Sequence, residues 1–352
     1  MGIPKIILRW NVFSRIDRML GSQGSTQSNV IIYGFWRSGT TFMMEQVAQL
    51  TESRSYFEPL LLKTPKTWPD KYRRHNSPEL HRHTIPVELK DHPCYYINPQ
   101  ENNSQVDSFL KDVFTGKISS RWTRKSRLLR YSLRPGITLK LVRGNLLAAY
   151  CSKKFGGNSI FVLRHPCGII ASTIRKQKHR SSKGGIETGL ISASFIESLL
   201  NQDTLVNDHL APFVEDIQKW NTSDFNRIIL AWAINNYVPL QQMKTGVFRP
   251  HYILYERFVL DAGYRRDMMA YLGVGNADTA LDKNIQSNSA TVQGNRKSIA
   301  PIKRLFSWRE ELSDDEIKTV YDICSCFGPV LIGPIEAIDD LADPVLGEIS
   351  QP

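Results

Sequence analysis

The segment Val30-Ile31-Ile32-Tyr33-Gly34-Phe35-Trp36-Arg37-Ser38-Gly39-Thr40-Thr41 joins an apolar strand to a glycine-bounded turn and then to a helix. Glycines at 34 and 39 let backbone N–H groups converge on an anion, the helix adds its positive N-terminal end, and Arg37, Ser38, Thr40 and Thr41 supply further donors. Such a turn serves to hold a phosphate or sulfate group. A second stretch, Phe161-Val162-Leu163-Arg164-His165-Pro166 with Ser172 beyond it, couples a strand end to a helix start. Arg164 and a hydroxyl two turns into the helix form a fork of donors suited to a second phosphate. Taken singly, Arg164 also reads as a strand-end ion pair and Ser172 as a small packing residue.

Strands must present these residues. The first is followed by a helix over about 40–50 and a short extended piece near 54–57, ahead of Glu58-Pro59. Ile137–Val142 reads as a buried strand, 145–154 as helical, and Ser159–Leu163 as another strand, which together make a βαβ unit. Right-handed crossovers give a parallel sheet whose ligand lies beyond the carboxyl ends of the strands, where both motifs begin. Residues 64–104, with six prolines from Pro65 to Pro99, are expected to be mostly irregular, within an acceptor-side loop region of about 64–130. Further on, the pattern predicts an amphipathic helix over 224–244 carrying Ile229 and Trp232, a strand over 251–255 and a helix over 264–272. A final helix over 314–326 is expected to be capped by Ser313.

The chain has 352 residues and a net charge of +11, with an isoelectric point near 9.4. That charge suits an anionic ligand, a polyanionic acceptor, a membrane surface or nucleic acid. No nucleic-acid-binding motif accompanies it. The five cysteines, Cys94, Cys151, Cys167, Cys324 and Cys326, form no disulfide framework or metal-ligand spacing, which points to a reducing compartment. No apolar run reaches the roughly 20 residues of a membrane span. The N-terminal segment 1–29 carries an amphipathic stripe, Val12, Phe13, Ile16, Met19 and Leu20, suited to packing on the protein or to peripheral membrane contact. A single domain over 1–352 and a cytoplasmic location are expected; oligomeric state is not legible.

The turn has the spacing of a Walker A loop but places Thr40 where the nucleotide-hydrolysing version has Lys. With the positive charge moved into the loop at Arg37, it resembles the 5′-phosphosulfate loop of sulfotransferases dependent on PAPS, 3′-phosphoadenosine 5′-phosphosulfate. Arg164-x-Pro with Ser172 resembles the family's 3′-phosphate motif, in the same chain order. Trp232 to Asn235, Leu254-Tyr255-Glu256 and Arg296-Lys297-Ser298 ahead of Trp308 resemble its later stretches. The resemblance covers about 30–62 and 137–330. Tyr56-Phe57-Glu58-Pro59 looks most like the carbohydrate branch, while Lys63-Thr64-Pro65 lacks the His of the branch acting on phenols and steroids.

The resemblance implies an α/β, P-loop-like three-layer fold with a central parallel sheet flanked by helices. It implies an enzyme of the EC 2.8.2 type that moves a sulfuryl group from PAPS to a hydroxyl of a saccharide or other small molecule and leaves 3′,5′-bisphosphoadenosine (PAP). Glu58 would be the general base, and Arg37 would stabilise developing charge. Ser38, Gly39, Thr40 and Thr41 would hold the 5′ side, and Arg164, Ser172, Arg296 and Lys297 the 3′-phosphate. Tyr255 and Trp36 are candidates for the adenine, with Tyr255 equally readable as core. Lys140 or Arg143 would add a cation near the acceptor, or else form a structural salt bridge. His75, His81, His83 and His92 are alternative bases, and no metal is demanded. His165 departs from the acidic residue that often follows the Arg. The rival readings are a P-loop kinase using ATP-Mg²⁺, against which Thr40 argues, and a non-catalytic polyanion-binding module, which leaves the two phosphate motifs without a job.

Overall fold

The computed structural model describes residues 29–60, 86–117, 136–181, 191–275, 285 and 301–342. Residues 1–28 of the N-terminal segment, 61–85 and 118–135 of the loop region, and Arg296 and Lys297 lie outside these. Strands β1 (Val30–Gly34), β2 (Arg54–Phe57), β3 (Ile137–Lys140), β4 (Asn158–Leu163) and β5 (His251–Leu254) form one central parallel sheet in the order β2-β3-β1-β4-β5, flanked by helices. The α/β architecture is thus the one expected, with β1 in the middle. Buried along their length, β1 and residues 160–163 of β4 read as continuous apolar runs rather than alternating ones.

The chain divides into two compact units, one made of residues up to Tyr33 with Thr41–Ile160 and the other of Gly34–Thr40 with Phe161 onward. In the first, β3 pairs with β1 on one side and β2 on the other. Its register sets Ile32 and Phe57 opposite Lys140. Helix α1 (Thr40–Leu50) buries Met43, Met44 and Val47. Helix α2 (Ser104–Phe114) departs from the expected irregular loop. The prolines stop at Pro99, Asn103 accepts a cap bond from the Val106 N–H at 3.1 Å, and Val106, Phe109, Leu110 and Val113 bury a helical stripe. Helix α3 (Ala148–Phe155) follows β3 and leads into β4.

In the second unit, α4 (Pro166–Ser181) leaves β4, and α5 (Asp224–Lys244) keeps its expected bounds. It is not amphipathic along its middle, where Ile228 through Leu240 are all buried. The side chains of Asn235 and Asn236 donate back to the Ala231 and Trp232 carbonyls, so polar residues sit there without stranded amide hydrogens. Helix α6 (Tyr255–Leu260) follows β5 directly. Helix α7 (Asp314–Ser325) carries the expected Ser313 cap, completed by Glu316 as a capping box. It is not the last helix: Gly328, at φ 72°, turns the chain and Pro329 opens α8 (Pro329–Asp339), as proline at a first helical position favours. All five cysteines are free. Among the described residues no helix is long and apolar enough to cross a membrane.

Candidate functional site

The loop after β1 is shaped by its glycines. Gly34 has φ 146°, and a Cβ there would lie 2.6 Å from the Val162 carbonyl oxygen; Gly39 has φ 83°, and a Cβ there would lie 2.1 Å from the Tyr255 ring. Neither position has room for a side chain. Between them the Ser38 N–H donates to the Phe35 carbonyl at 3.2 Å, and Arg37 takes the left-handed region at φ 71°. Such a conformation costs a non-glycine residue about 1 kcal/mol or more and needs outside support. Arg37 has it at both ends. Its Nε donates to Ser172 Oγ at 3.0 Å, and its carbonyl accepts from Arg164 Nη1 at 2.9 Å. Residues separated by more than 120 positions in sequence are thereby tied into one cationic corner.

The Ser38 hydroxyl in this loop is fully buried and has no hydrogen-bond partner among the described residues. Buried hydroxyls seldom go unpaired, so this one fits a loop made to hold an anion. Thr40 and Thr41 are buried where α1 begins. The donor set, a helix start, two guanidinium groups and hydroxyls, suits an anion such as a phosphate or sulfate group.

Arg164 is boxed in. Its guanidinium carbon lies 5.2 Å from the Tyr255 ring centroid, its Nε lies 3.7 Å from Glu256 Oε1, and a Cβ on Gly168 would come within 3.4 Å of that Nε. Burial pushes the Tyr255 hydroxyl above its ordinary pKa while Arg164 pulls it down. Burial likewise raises the Glu256 carboxyl, opposed by Arg164 and His165. His165 itself is fully buried and stacks flat on Trp308 at 4.6 Å. Its Nδ1 accepts from the Cys167 N–H at 3.2 Å, and its Nε2 lies 3.4 Å from the Tyr321 hydroxyl and 3.5 Å from Asp339 Oδ1. The departure from an acidic residue after Arg164 therefore docks β4 onto α7 and α8.

In the other unit the ladder itself delivers a second cluster. The Glu58 N–H extends β2 by donating to the Lys140 carbonyl at 3.0 Å, which sets the two side chains next to each other. Lys140 Nζ donates to Glu58 Oε1 at 2.6 Å, Arg143 Nη1 donates to Oε2 at 3.3 Å, and Lys140 lies 4.2 Å from the Phe57 ring centroid. Glu58 is buried and, at φ 49°, is a further left-handed residue. The nearby Cys94 thiol is pushed up to about 12 by burial, with Arg143 lowering and Glu58 raising it. It is an inert core thiol.

The structure thus brings Arg37, Ser38, Gly39, Thr40, Arg164, Ser172 and Tyr255 together in one unit and Glu58 and Lys140 together in the other. Trp36 packs edge-on against Phe35 and Phe195. His92 stacks on Tyr95 at 5.8 Å. Arg296, Lys297, His75, His81 and His83 lie outside the described residues. Sequence reasoning missed the partner behind Arg164, Glu256, and those of the adjacent His165, namely Trp308, Tyr321 and Asp339. Only the Leu254-Tyr255-Glu256 run and Trp308 left a trace of them.

No protein-family model matches the chain, and no curated protein matches it. Among solved structures the chain is similar to the sulfotransferase domain of the Synechococcus PCC 7002 olefin synthase, at 13% identity over 85% of this chain and 95% of that one, with a TM-score of 0.40. It is similar to sulfotransferase STF9 from Mycobacterium avium, at 11% identity over 87% and 78%, with a TM-score of 0.40. A third similarity is to a retinol dehydratase in complex with retinol and PAP, at 13% identity over 90% and 85%, with a TM-score of 0.38.

Proposed function

We propose that this protein is a PAPS-dependent sulfotransferase acting on a hydroxyl of a carbohydrate or other hydroxylated small molecule. The observation that carries this reading is the corner in which Arg37 bonds Ser172 through its side chain and Arg164 through its carbonyl, because it joins the two phosphate motifs around one loop. A triphosphate kinase would want a Lys where Thr40 stands.

Arg37, Ser38, Gly39, Thr40 and Thr41 would hold the 5′-phosphosulfate, and Arg164 and Ser172 the 3′-phosphate, with Arg296 and Lys297 assigned to the same phosphate by sequence. Tyr255, which floors the loop at Gly39, would stand beside the adenine. When bound, PAPS supplies a sulfuryl group whose S–O bond to phosphate breaks as the acceptor oxygen bonds sulfur, leaving PAP. Glu58 takes the acceptor's hydroxyl proton; with both oxygens already accepting one cation each, the carboxylate keeps further lone pairs for it. Lys140 holds that carboxylate in place. Arg37 neutralises charge on the departing phosphate, as positioned cations do in related phosphoryl chemistry.

The test is transfer of labelled sulfate from PAPS to a panel of hydroxylated acceptors. Glu58→Gln should reduce turnover roughly 10²–10⁴-fold, the span of a lost general base, and leave PAP affinity intact. Retained turnover would remove Glu58 as base, and no transfer by the wild type to any hydroxylated acceptor would contradict the reading itself.

A further inference from the structure

Glu256 is fully buried, and no step above uses it. Its Oε1 accepts from the His165 N–H at 3.2 Å and lies 3.7 Å from Arg164 Nε, while its Oε2 is buried without a hydrogen-bond partner among the described residues. A carboxylate this far from water is costly unless a cation stays beside it, so Glu256 and Arg164 constrain each other. Arg164 is restrained from three further directions, by the Arg37 carbonyl, the Tyr255 ring and the floor at Gly168. The adjacent pair Tyr255-Glu256 therefore does two jobs at the start of α6. One ring presses on Gly39 of the loop, and the next carboxylate fixes the guanidinium that grips the same loop.

We propose that Glu256 is a positioning residue: by orienting Arg164 it sets where on the ribose the second phosphate is accepted, and so selects a 3′,5′- over a 2′,5′-bisphosphate. This rests on the assignment of Arg164 to that phosphate. Simple electrostatics would point the other way, since a negative charge beside Arg164 weakens anion binding in general. Orientation is what the carboxylate gives in return.

The two isomers of bisphosphoadenosine carry the same charges, so the ratio of their affinities isolates geometry from charge. Calorimetric titration of both into wild type and Glu256→Gln should show the wild-type preference for the 3′,5′ isomer reduced about tenfold or more, the scale of a disturbed buried ion pair. A variant that merely loosens the fold would weaken both isomers equally; an unchanged ratio overturns the proposal. Should Glu256→Gln not fold, Glu256→Asp keeps the charge but displaces it by a methylene, with the same loss of ratio expected and an unchanged ratio again fatal. Arg164→Ala separates the two layers of the argument. If it leaves 3′,5′ affinity untouched, the sulfotransferase reading fails. If it weakens that affinity while the Glu256 variants keep the ratio, only the positioning role fails.

Discussion

Around Gly34–Gly39, Arg37 is held by backbone shape, by the Ser172 hydroxyl and by the Arg164 guanidinium on its carbonyl, whereas around Glu58 two cations converge on one carboxylate. The first cluster keeps a buried hydroxyl, Ser38 Oγ, without a partner among the described residues, and bends Arg37 into a left-handed conformation. In the second, Lys140 and Arg143 each take one oxygen of a single carboxylate. An unsatisfied, strained loop is poised for an anion from outside, and a neutralised carboxylate is a stable fixture that a reaction can borrow. Substitutions in the loop should therefore damage binding, and substitutions around Glu58 the fold.

The largest effect expected is on stability, in the charge-paired cluster. Lys140→Met strands a buried carboxylate and should lower unfolding free energy by about 3 kcal/mol, the low end for a broken buried pair because Arg143 remains. Denaturant melts check it, with PAP affinity measured on the folded fraction and expected to hold. In the loop, Gly39→Ala drives a methyl into the Tyr255 ring and forces φ 83° on an alanine. Strain of about 1–3 kcal/mol falls on the conformation that binds, so PAP affinity should drop by roughly tenfold to a hundredfold, read by calorimetry. The smallest effect is Ser172→Ala, which removes one neutral hydrogen-bonding group from Arg37. Affinity for PAP should fall by about 1 kcal/mol, with the melting temperature nearly unmoved. If Lys140→Met abolished nucleotide binding, or Gly39→Ala destabilised the fold while binding normally, the contrast between the clusters would break.

Much of this was legible in sequence because it is local. The glycine spacing of 34 and 39, the strand-end position of Arg164, and the Ser313 cap each depend on a few neighbouring residues. So does α5, although its pattern suggested one buried face and the structure buries it all round, a consequence of packing against several helices. Helix α2 was hidden by the prolines ahead of it, and α8 by the reading of 314–326 as the final helix. The salt bridge offered as one reading of Lys140 or Arg143 is present, but its partner Glu58 was not legible, because the pairing comes from the register of β2 on β3 across 82 positions. The support behind Arg164 and His165 left only a trace, in the Leu254-Tyr255-Glu256 run and Trp308. Glu256, Trp308 and Asp339 are distant from them in the chain and meet them only once the second unit has packed.

On this account Arg37, Ser172 and Arg164 form one site for a nucleotide with two separate phosphate groups. The decisive experiment is calorimetry with PAP, AMP and ATP-Mg²⁺, run on wild type and on Arg164→Ala. Tight binding of PAP alone, with AMP and ATP-Mg²⁺ much weaker and the PAP preference over AMP lost in Arg164→Ala, is the predicted result. Stronger binding of ATP-Mg²⁺ than of PAP, or an Arg164→Ala protein that binds PAP as the wild type does, would contradict it.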